Sequence, residues 1–336
     1  MKWFEELLKN CYGPVQVQPR AMIGAQPWNE AVDHHKQGTW WHRYEWIDYC
    51  LAYKGGTDYS FATIADGKVI ALCPIIHEGQ TFALGGNPLV PGLLAPNTPG
   101  ELASASMGIM RNLVNITARH HGVAYADMMI PIVPSGPLKH APSLECEYDN
   151  ESIDFSTRVV DLTVPSEKRW KDVRKSYHQL IRRGQEQYTI LHHSDGAFSC
   201  GPATVYAVLH RDKYGDCRNP RTFDFQNKWV NQGAAHLYFS VHDGKLFGAT
   251  LWYVCKGLAY YASGVYLRDN VAHVALWESM NDLAERGIKY AELGWQGRAA
   301  DKKGQAVEFF KRGLGGTDWP VPCLRKTFLT HQEAAS

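Results

Sequence analysis

The order of elements in residues 59–127 is written again in residues 237–292, and no other feature limits so strongly what this chain can fold into. Tyr59 to Ile76 reads as a strand, an Asp66-Gly67-Lys68 turn and a second strand, and Leu237 to Val254 repeats that pattern around Asp243-Gly244-Lys245. Asp-Gly between two apolar runs is a hairpin signal, because both central residues of the favoured two-residue turn take positive φ. Each hairpin is followed by an apolar strand (Thr81 to Leu84; Leu258 to Val265) and a helical pattern (Glu101 to His121; Val271 to Arg286). A Gly-led strand then closes each copy, Gly122-Val123-Ala124-Tyr125-Ala126-Asp127 and Gly287-Ile288-Lys289-Tyr290-Ala291-Glu292. The expectation is an α/β (α+β) protein of two fused copies, residues 1–150 and 151–336, each a mixed, mostly antiparallel sheet flanked by helices.

With 336 residues and 45% hydrophobic content, both copies can bury a core. Lys plus Arg number 35 against 34 acidic residues, so nothing in the net charge draws the chain to DNA or an anionic membrane. The eight cysteines (11, 50, 73, 146, 200, 217, 255 and 323) form no C-x-x-C pair, and no histidine stands at zinc-ligand spacing from them. Neither a disulfide framework nor a structural metal is therefore expected. The first residues carry charge throughout, and no run approaches the ~20 apolar residues of a membrane span, so a cytoplasmic protein is expected.

Before the first hairpin lies an aromatic segment, Trp40-Trp41-His42-Arg43-Tyr44-Glu45-Trp46, which fits packing against a sheet better than a ligand cleft. Leu102, Ser106, Ile109, Leu113 and Ile116 share one face of the first long helix; Ala272, Leu276, Met280, Leu283 and Ala284 do so in the second, with Asp269 or Asn270 as N-cap. Proline-rich residues 131–142 and the polar stretch 145–154 read as the junction. Beyond it, Ser166 opens a helix that runs to Gly184 as its C′ residue, with Trp170, Val173, Tyr177, Leu180 and Ile181 as apolar stripe. On another face Lys168, Lys171, Lys175, His178 and Arg182 form a basic ridge, either a solvated surface or a landing strip for phosphates.

Strand, helix, helix, three antiparallel strands, helix, strand, helix, strand from Val159 to Phe328 resembles the GCN5-related N-acyltransferase (GNAT) fold. Three stretches resemble its Fem-type peptidyltransferase branch and relatives tied to surface-polysaccharide synthesis. They are Trp170 to Ile181; Glu292-Leu293-Gly294-Trp295-Gln296 with Ala306 to Gly316, which holds an FFK-x-G-x-G pattern; and His210 through Arg218, Arg221 and Gln226. The likeness covers most of residues 159–328, while the first half matches as a fold repeat. It implies acyl-CoA, acetyl-CoA first, as co-substrate, bound where two neighbouring strands splay apart. Between Val265 and His273, where such enzymes carry a glycine-rich pyrophosphate loop, no glycine stands, and Asp269 adds negative charge. An aminoacyl-tRNA donor is the alternative. Gly85-Gly86-Asn87 in the first copy lacks the full loop as well.

Acyl transfer to an amine needs a base and donors aimed at an oxyanion. Glu292, ending an apolar strand just before Gly294, is the first candidate base, with Lys289 or Lys311 as the ion-pair partner of a purely structural carboxylate. His210 and Tyr261 are the other catalytic candidates. Arg218 and Arg221 suit a carboxylate or phosphate, Gln226 follows from the resemblance, and Tyr261 and Ser263 are expected on one strand face opposite Tyr260. Trp295 and Gln296 could border a sugar. Lys175, His178, Arg268 and Lys311 are the candidate donor contacts. The expected reaction transfers an acyl or aminoacyl group to an amino group of a sugar or cell-envelope precursor, and the alternative is a non-catalytic binder of a nucleotide sugar or partner protein.

Overall fold

Both Asp-Gly turns form as tight two-residue hairpins: Asp66 and Gly67 have φ of 49° and 71°, Asp243 and Gly244 of 48° and 70°. The repeat extends to a detail no sequence pattern shows. In each hairpin the register slips at the same place, Thr63/Ile64 in one and Ser240/Val241 in the other, so each carries a bulge just after its turn. The computed structural model describes residues 2–9, 14–134, 155–195, 201–215, 218–268, 270–297 and 300–328. The junction residues 135–154, Asp269, and Cys11, Cys146, Cys200 and Cys217 lie outside them.

The chain divides into two units, Met1–Asp154 with Val321–Ser336, and Phe155–Pro320. In the first, α1 (Lys2–Lys9), β1 (Gln16–Pro19), α2 (Arg20–Ile23), α3 (Ala25–His34) and α4 (Tyr44–Lys54) precede β2 (Thr57–Asp58), β3 (Phe61–Ala65) and β4 (Lys68–Cys73). There follow β5 (Ile76–Glu78), β6 (Thr81–Ala83), β7 (Leu93–Leu94), α5 (Gly100–His120) and β8 (Tyr125–Met129). Trp28, Trp40, Trp41 and Trp46 are buried, so the aromatic segment packs as core. The third strand departs from the repeat, since β6 pairs with β5 and leaves β4 to pair with β7. On α5 the buried side is Ser106, Met110, Leu113, Val114 and Thr117, and Ile116 is exposed, so the inward face is rotated from the expected one.

The second unit holds β9 (Phe155–Asp161), α6 (Ser166–Asp172), α7 (Lys175–Gln187), β10 (Thr189–His192), α8 (Pro202–Tyr214), α9 (Arg221–Asn231), β11 (Ala235–His242), β12 (Lys245–Cys255) and β13 (Leu258–Tyr266). It ends with α10 (Val271–Glu285), β14 (Tyr290–Gln296), α11 (Lys302–Arg312) and β15 (Thr317–Val321). The strands form one seven-stranded sheet, β10-β11-β12-β13-β14-β9-β15. One face is sealed by α7 and α10 through Tyr177, Ile181, Trp252, Leu276, Met280, Leu283 and Leu293. Each such side chain contributes about 1.5–3 kcal/mol by leaving water. The single helix expected from Ser166 to Gly184 is two, broken at Val173-Arg174. Gly184 lies inside α7, where a Cβ would sit 2.6 Å from the Val274 side chain, so it permits close helix packing and does not end the helix.

The last strand, β16 (Cys323–Thr327), pairs antiparallel with β8, with Arg325 bidentate to Asp127. Residues 321–336 therefore group with the first unit, which moves the expected 151–336 boundary: the first copy receives its final strand from the far end of the chain.

Candidate functional site

In the middle of the seven-stranded sheet, β13 and β14 pair in parallel over three registers only, Leu258↔Tyr290, Ala259↔Ala291 and Tyr260↔Glu292. Both strands continue, β13 held by β12 as far as Tyr266 and β14 by β9 as far as Gln296, but no longer against each other. The cause is local. The β14–β9 register slips between Glu292 and Gly294, where Gly294 has φ of 92°, and such a bulge bends a strand. Tyr260, Ala262, Ser263 and Gly264 are only partly buried, although β13 is the central strand.

Glu292 stands at the fork. It is 5% exposed, and Oε1 accepts a hydrogen bond from Thr157 Oγ1 at 2.8 Å. Burial pushes its carboxyl up to about 7, against the hydrogen bond from Thr157 and the charge of Lys311. Lys311 is pulled down by the same burial and back up by Glu292 and Glu308. Its ammonium lies over Gly294, where a Cβ would come within 2.8 Å of Nζ. Of the two expected partners of Glu292, Lys311 acts on it and Lys289 does not. A carboxylate half-ionised near neutrality can accept a proton in one step and release it in the next.

Ala291 and Leu293 belong to the α7/α10 core, so Glu292 faces the opposite side of the sheet, with Tyr260 beside it. A second bulge decides what joins them. Leu251 pairs Ser263 and Trp252 pairs Tyr261, so Ala262 is an extra residue and the alternation along β13 is broken. Tyr261 therefore turns to the Trp252 side, where its hydroxyl meets that of Tyr266 at 3.3 Å, while Ser263 joins Tyr260 and Glu292. This reverses the expected pairing of Tyr261 with Ser263, and burial pushes the Tyr261 phenol well above its ordinary range.

Helices α8 and α9 supply the rest of the Glu292 face. Tyr206 donates to Ser263 Oγ at 2.5 Å, and Gln226 donates to Tyr253 at 3.2 Å. Gln226 Oε1 is buried with no hydrogen-bond partner among the described residues. His210, one turn from Tyr206, is buried, and desolvation and the charge of Arg218 hold it below its ordinary value. Arg218 lies over the Phe223 ring, whereas Arg221 is exposed at the start of α9. Thr157 and Tyr206 were not singled out in the sequence. Tyr206 was accessible as the i−4 neighbour of His210, but Thr157 meets Glu292 across 135 residues and leaves no local mark.

The other candidates are spread over several elements. Gln296, 2% exposed, accepts from Arg312 Nε at 3.1 Å and so holds α11 to β14, while Trp295 beside it is half-exposed. His178 stacks on Trp170 with ring centroids 4.4 Å apart. The basic ridge is split between helices, Lys168 and Lys171 on α6 and Lys175 and Arg182 on α7, all four exposed. Arg268 lies over Phe247 at the end of β13, just before α10. In the first unit, the amides of Gly85 and Gly86 point at one carboxylate, Glu78, at 2.6 and 2.8 Å, so the chain's own side chain fills that anion nest.

No family model matches the sequence, and neither does any curated protein. Solved structures do. FemX is 11% identical over 92% of this chain and 97% of its own, with a TM-score of 0.61. L-PGS from Bacillus licheniformis is 13% identical over 85% and 92%, at 0.56. A tandem GNAT protein from the clavulanic acid biosynthesis pathway is 14% identical over 94% and 99%, at 0.50. At such identities the likeness is one of fold, and it agrees with the expected tandem, Fem-like GNAT architecture.

Proposed function

We propose that this GNAT-fold chain is an acyltransferase that moves an acyl or aminoacyl group from an activated carrier to an amino group, with the reaction at the fork between β13 and β14. The observation that carries this reading is the end of parallel pairing at Glu292, a buried carboxylate raised to about 7 where β13 and β14 part. In the reaction, the acceptor nitrogen attacks the acyl carbonyl carbon, and the carrier's sulfur or oxygen departs with the bonding electron pair. The nitrogen gives up its proton to Glu292. The edge of β13 beyond Tyr260, which β14 has left, offers backbone amides to the developing oxyanion. Lys311 steadies the ionised form of Glu292 between turnovers.

Acyl-CoA is the favoured donor, because α10 begins at the end of β13 and a helix N-terminus with Arg268 beside it suits a pyrophosphate. Lacking a glycine cradle, the site would rest on side chains more than in a typical GNAT, and an aminoacyl-tRNA contacting Lys168, Lys171, Lys175 and Arg182 is the alternative donor. Both donors are cytoplasmic, which makes that the expected compartment; among the described residues no helix is long and apolar enough to cross a membrane. On the acceptor side, Arg218 and the unpartnered Gln226 oxygen favour an amine that also carries an anionic group and a hydrogen-bond donor, as amino-sugar phosphates and cell-envelope precursors do.

The test is mass spectrometry of amine panels incubated with acetyl-CoA or charged tRNA. Wild-type protein adds one acyl mass to an acceptor, and Glu292→Gln, which keeps an oxygen for Thr157, is at least about 100-fold slower while remaining folded. An unchanged rate in Glu292→Gln removes the base from the mechanism, and donor binding with no mass shift on any acceptor favours the non-catalytic binder.

A further inference from the structure

Away from the fork, at the β10 edge of the same sheet, three histidines converge. His192 ends β10 opposite Tyr238 of β11, His236 lies two residues along β11 on the same face, and His193 follows directly in the chain. One ring nitrogen from each lies within 4.8 Å of the others. His192 Nε2 and His236 Nδ1 are 2.8 Å apart, and His192 Nδ1 is 2.6 Å from Ser194 Oγ. One member of the cluster, His192, lines a cavity of about 500 Å³ whose wall also includes Asp195, Glu278, Asp282 and Glu285. Tyr238 donates to Asp282 at 2.6 Å, Asp282 is also held by Arg286, and Asp195 Oδ2 accepts from the His192 amide.

We propose that His192, His193 and His236 bind one divalent transition-metal ion of the zinc type, with the fourth position directed to the acidic cavity. Imidazole suits zinc and its neighbours in the first transition row, and three protein nitrogens with one open position is the arrangement of zinc sites that keep a water or substrate. Nitrogens bound at about 2.0–2.1 Å in a tetrahedron stand about 3.3 Å apart, so the His192–His236 pair needs to open by only about 0.5 Å. Once Nε2 of His192 holds the metal, Nδ1 carries the proton and donates to Ser194 Oγ at 2.6 Å, giving up the longer 3.3 Å bond it accepts from the Ser194 amide; such an outer contact fixes a ligand's tautomer and orientation. Four carboxylates on the cavity wall draw a cation in, while Arg286, engaged by Asp282, is the opposing charge. The site stands on the opposite side of β12 from Glu292, which the acyl-transfer proposal uses, so the two proposals stand or fall separately.

Tag-free protein stripped with a chelator and dialysed against Zn²⁺ tests it. Wild-type chain retains about one ion. His193→Ala and His236→Ala each weaken binding by at least about 100-fold, the upper end of what even an outer-shell loss costs, and Ser194→Ala weakens it about tenfold with the stoichiometry kept. Both alanine variants replace half-exposed side chains, and circular dichroism checks their fold. Independently of any variant, Co²⁺ on the wild-type chain gives the intense visible bands of tetrahedral coordination. Failure to retain an ion, unchanged affinity in folded His193→Ala and His236→Ala, or only the weak bands of octahedral Co²⁺ overturns the proposal.

Discussion

Glu292 and Tyr261 mark what single residues disclosed in the sequence and what they did not. Glu292 was recognisable because a carboxylate ending an apolar strand before a glycine is costly unless it is used or paired, and its ammonium partner, Lys311, was among the two named. Tyr261 was misplaced because period-2 alternation holds only for an unbroken strand, and the extra Ala262 carries no compositional sign. The raised carboxyl has a kinetic consequence. Because the ionised form accepts the proton, activity is lost as pH falls through about 7, so log kcat/KM rises with a slope of about one below that pH and levels above it. A pH–rate profile with a donor and acceptor that do not titrate in this range checks it, and a limb centred near the ordinary carboxylate value of 4.5 contradicts it.

Hairpins, the α6 and α10 starts and the closing strands were legible at the element scale, because turn chemistry and apolar periodicity are local. The ends of elements were less so. Gly184 looked like a helix terminator, since glycine at C′ and glycine at a helix crossing are the same letter, and only the approach of α10 tells them apart. On α5, Ser106 and Leu113 face inward as expected, Ser106 accepting from Thr63 at 2.9 Å, while Met110, Val114 and Thr117 take the places expected of Ile109 and Ile116, because which flank of an apolar stripe is covered depends on the packing partner. Gly184→Ala separates the two roles of glycine. Alanine would favour an isolated helix by about 1 kcal/mol, but its methyl meets Val274 in a packed interface, where overfilling costs about 1–3 kcal/mol. Thermal or urea unfolding should show net destabilisation; a gain in stability would mean that α7 and α10 do not meet as closely as described.

The duplication set the scale of the whole molecule, and the sequence showed it plainly because each copy keeps its Asp-Gly hairpin and Gly-led strand. It hid the return of β16 to the first unit, since a strand's partner 198 residues away leaves no periodic trace. Deleting residues 322–336 should expose β8 of the first unit to proteolysis and leave the second unit's sheet intact; equal damage to both would contradict the division. The copies have also diverged in chemistry. Glu78 fills the glycine nest of the first unit, whereas in the second β13 and β14 part at Glu292, and the acyl transfer proposed above is assigned to the second unit.

Amide hydrogen exchange of the whole chain with and without saturating acyl-CoA tests the central claim most directly, because it reads where the donor sits without presuming the acceptor. The account predicts protection confined to β13 from Tyr261 to Tyr266, the end of β14 and the start of α10. Protection at the Gly85-Gly86 nest of the first unit, with the fork exchanging as freely as before, would contradict it.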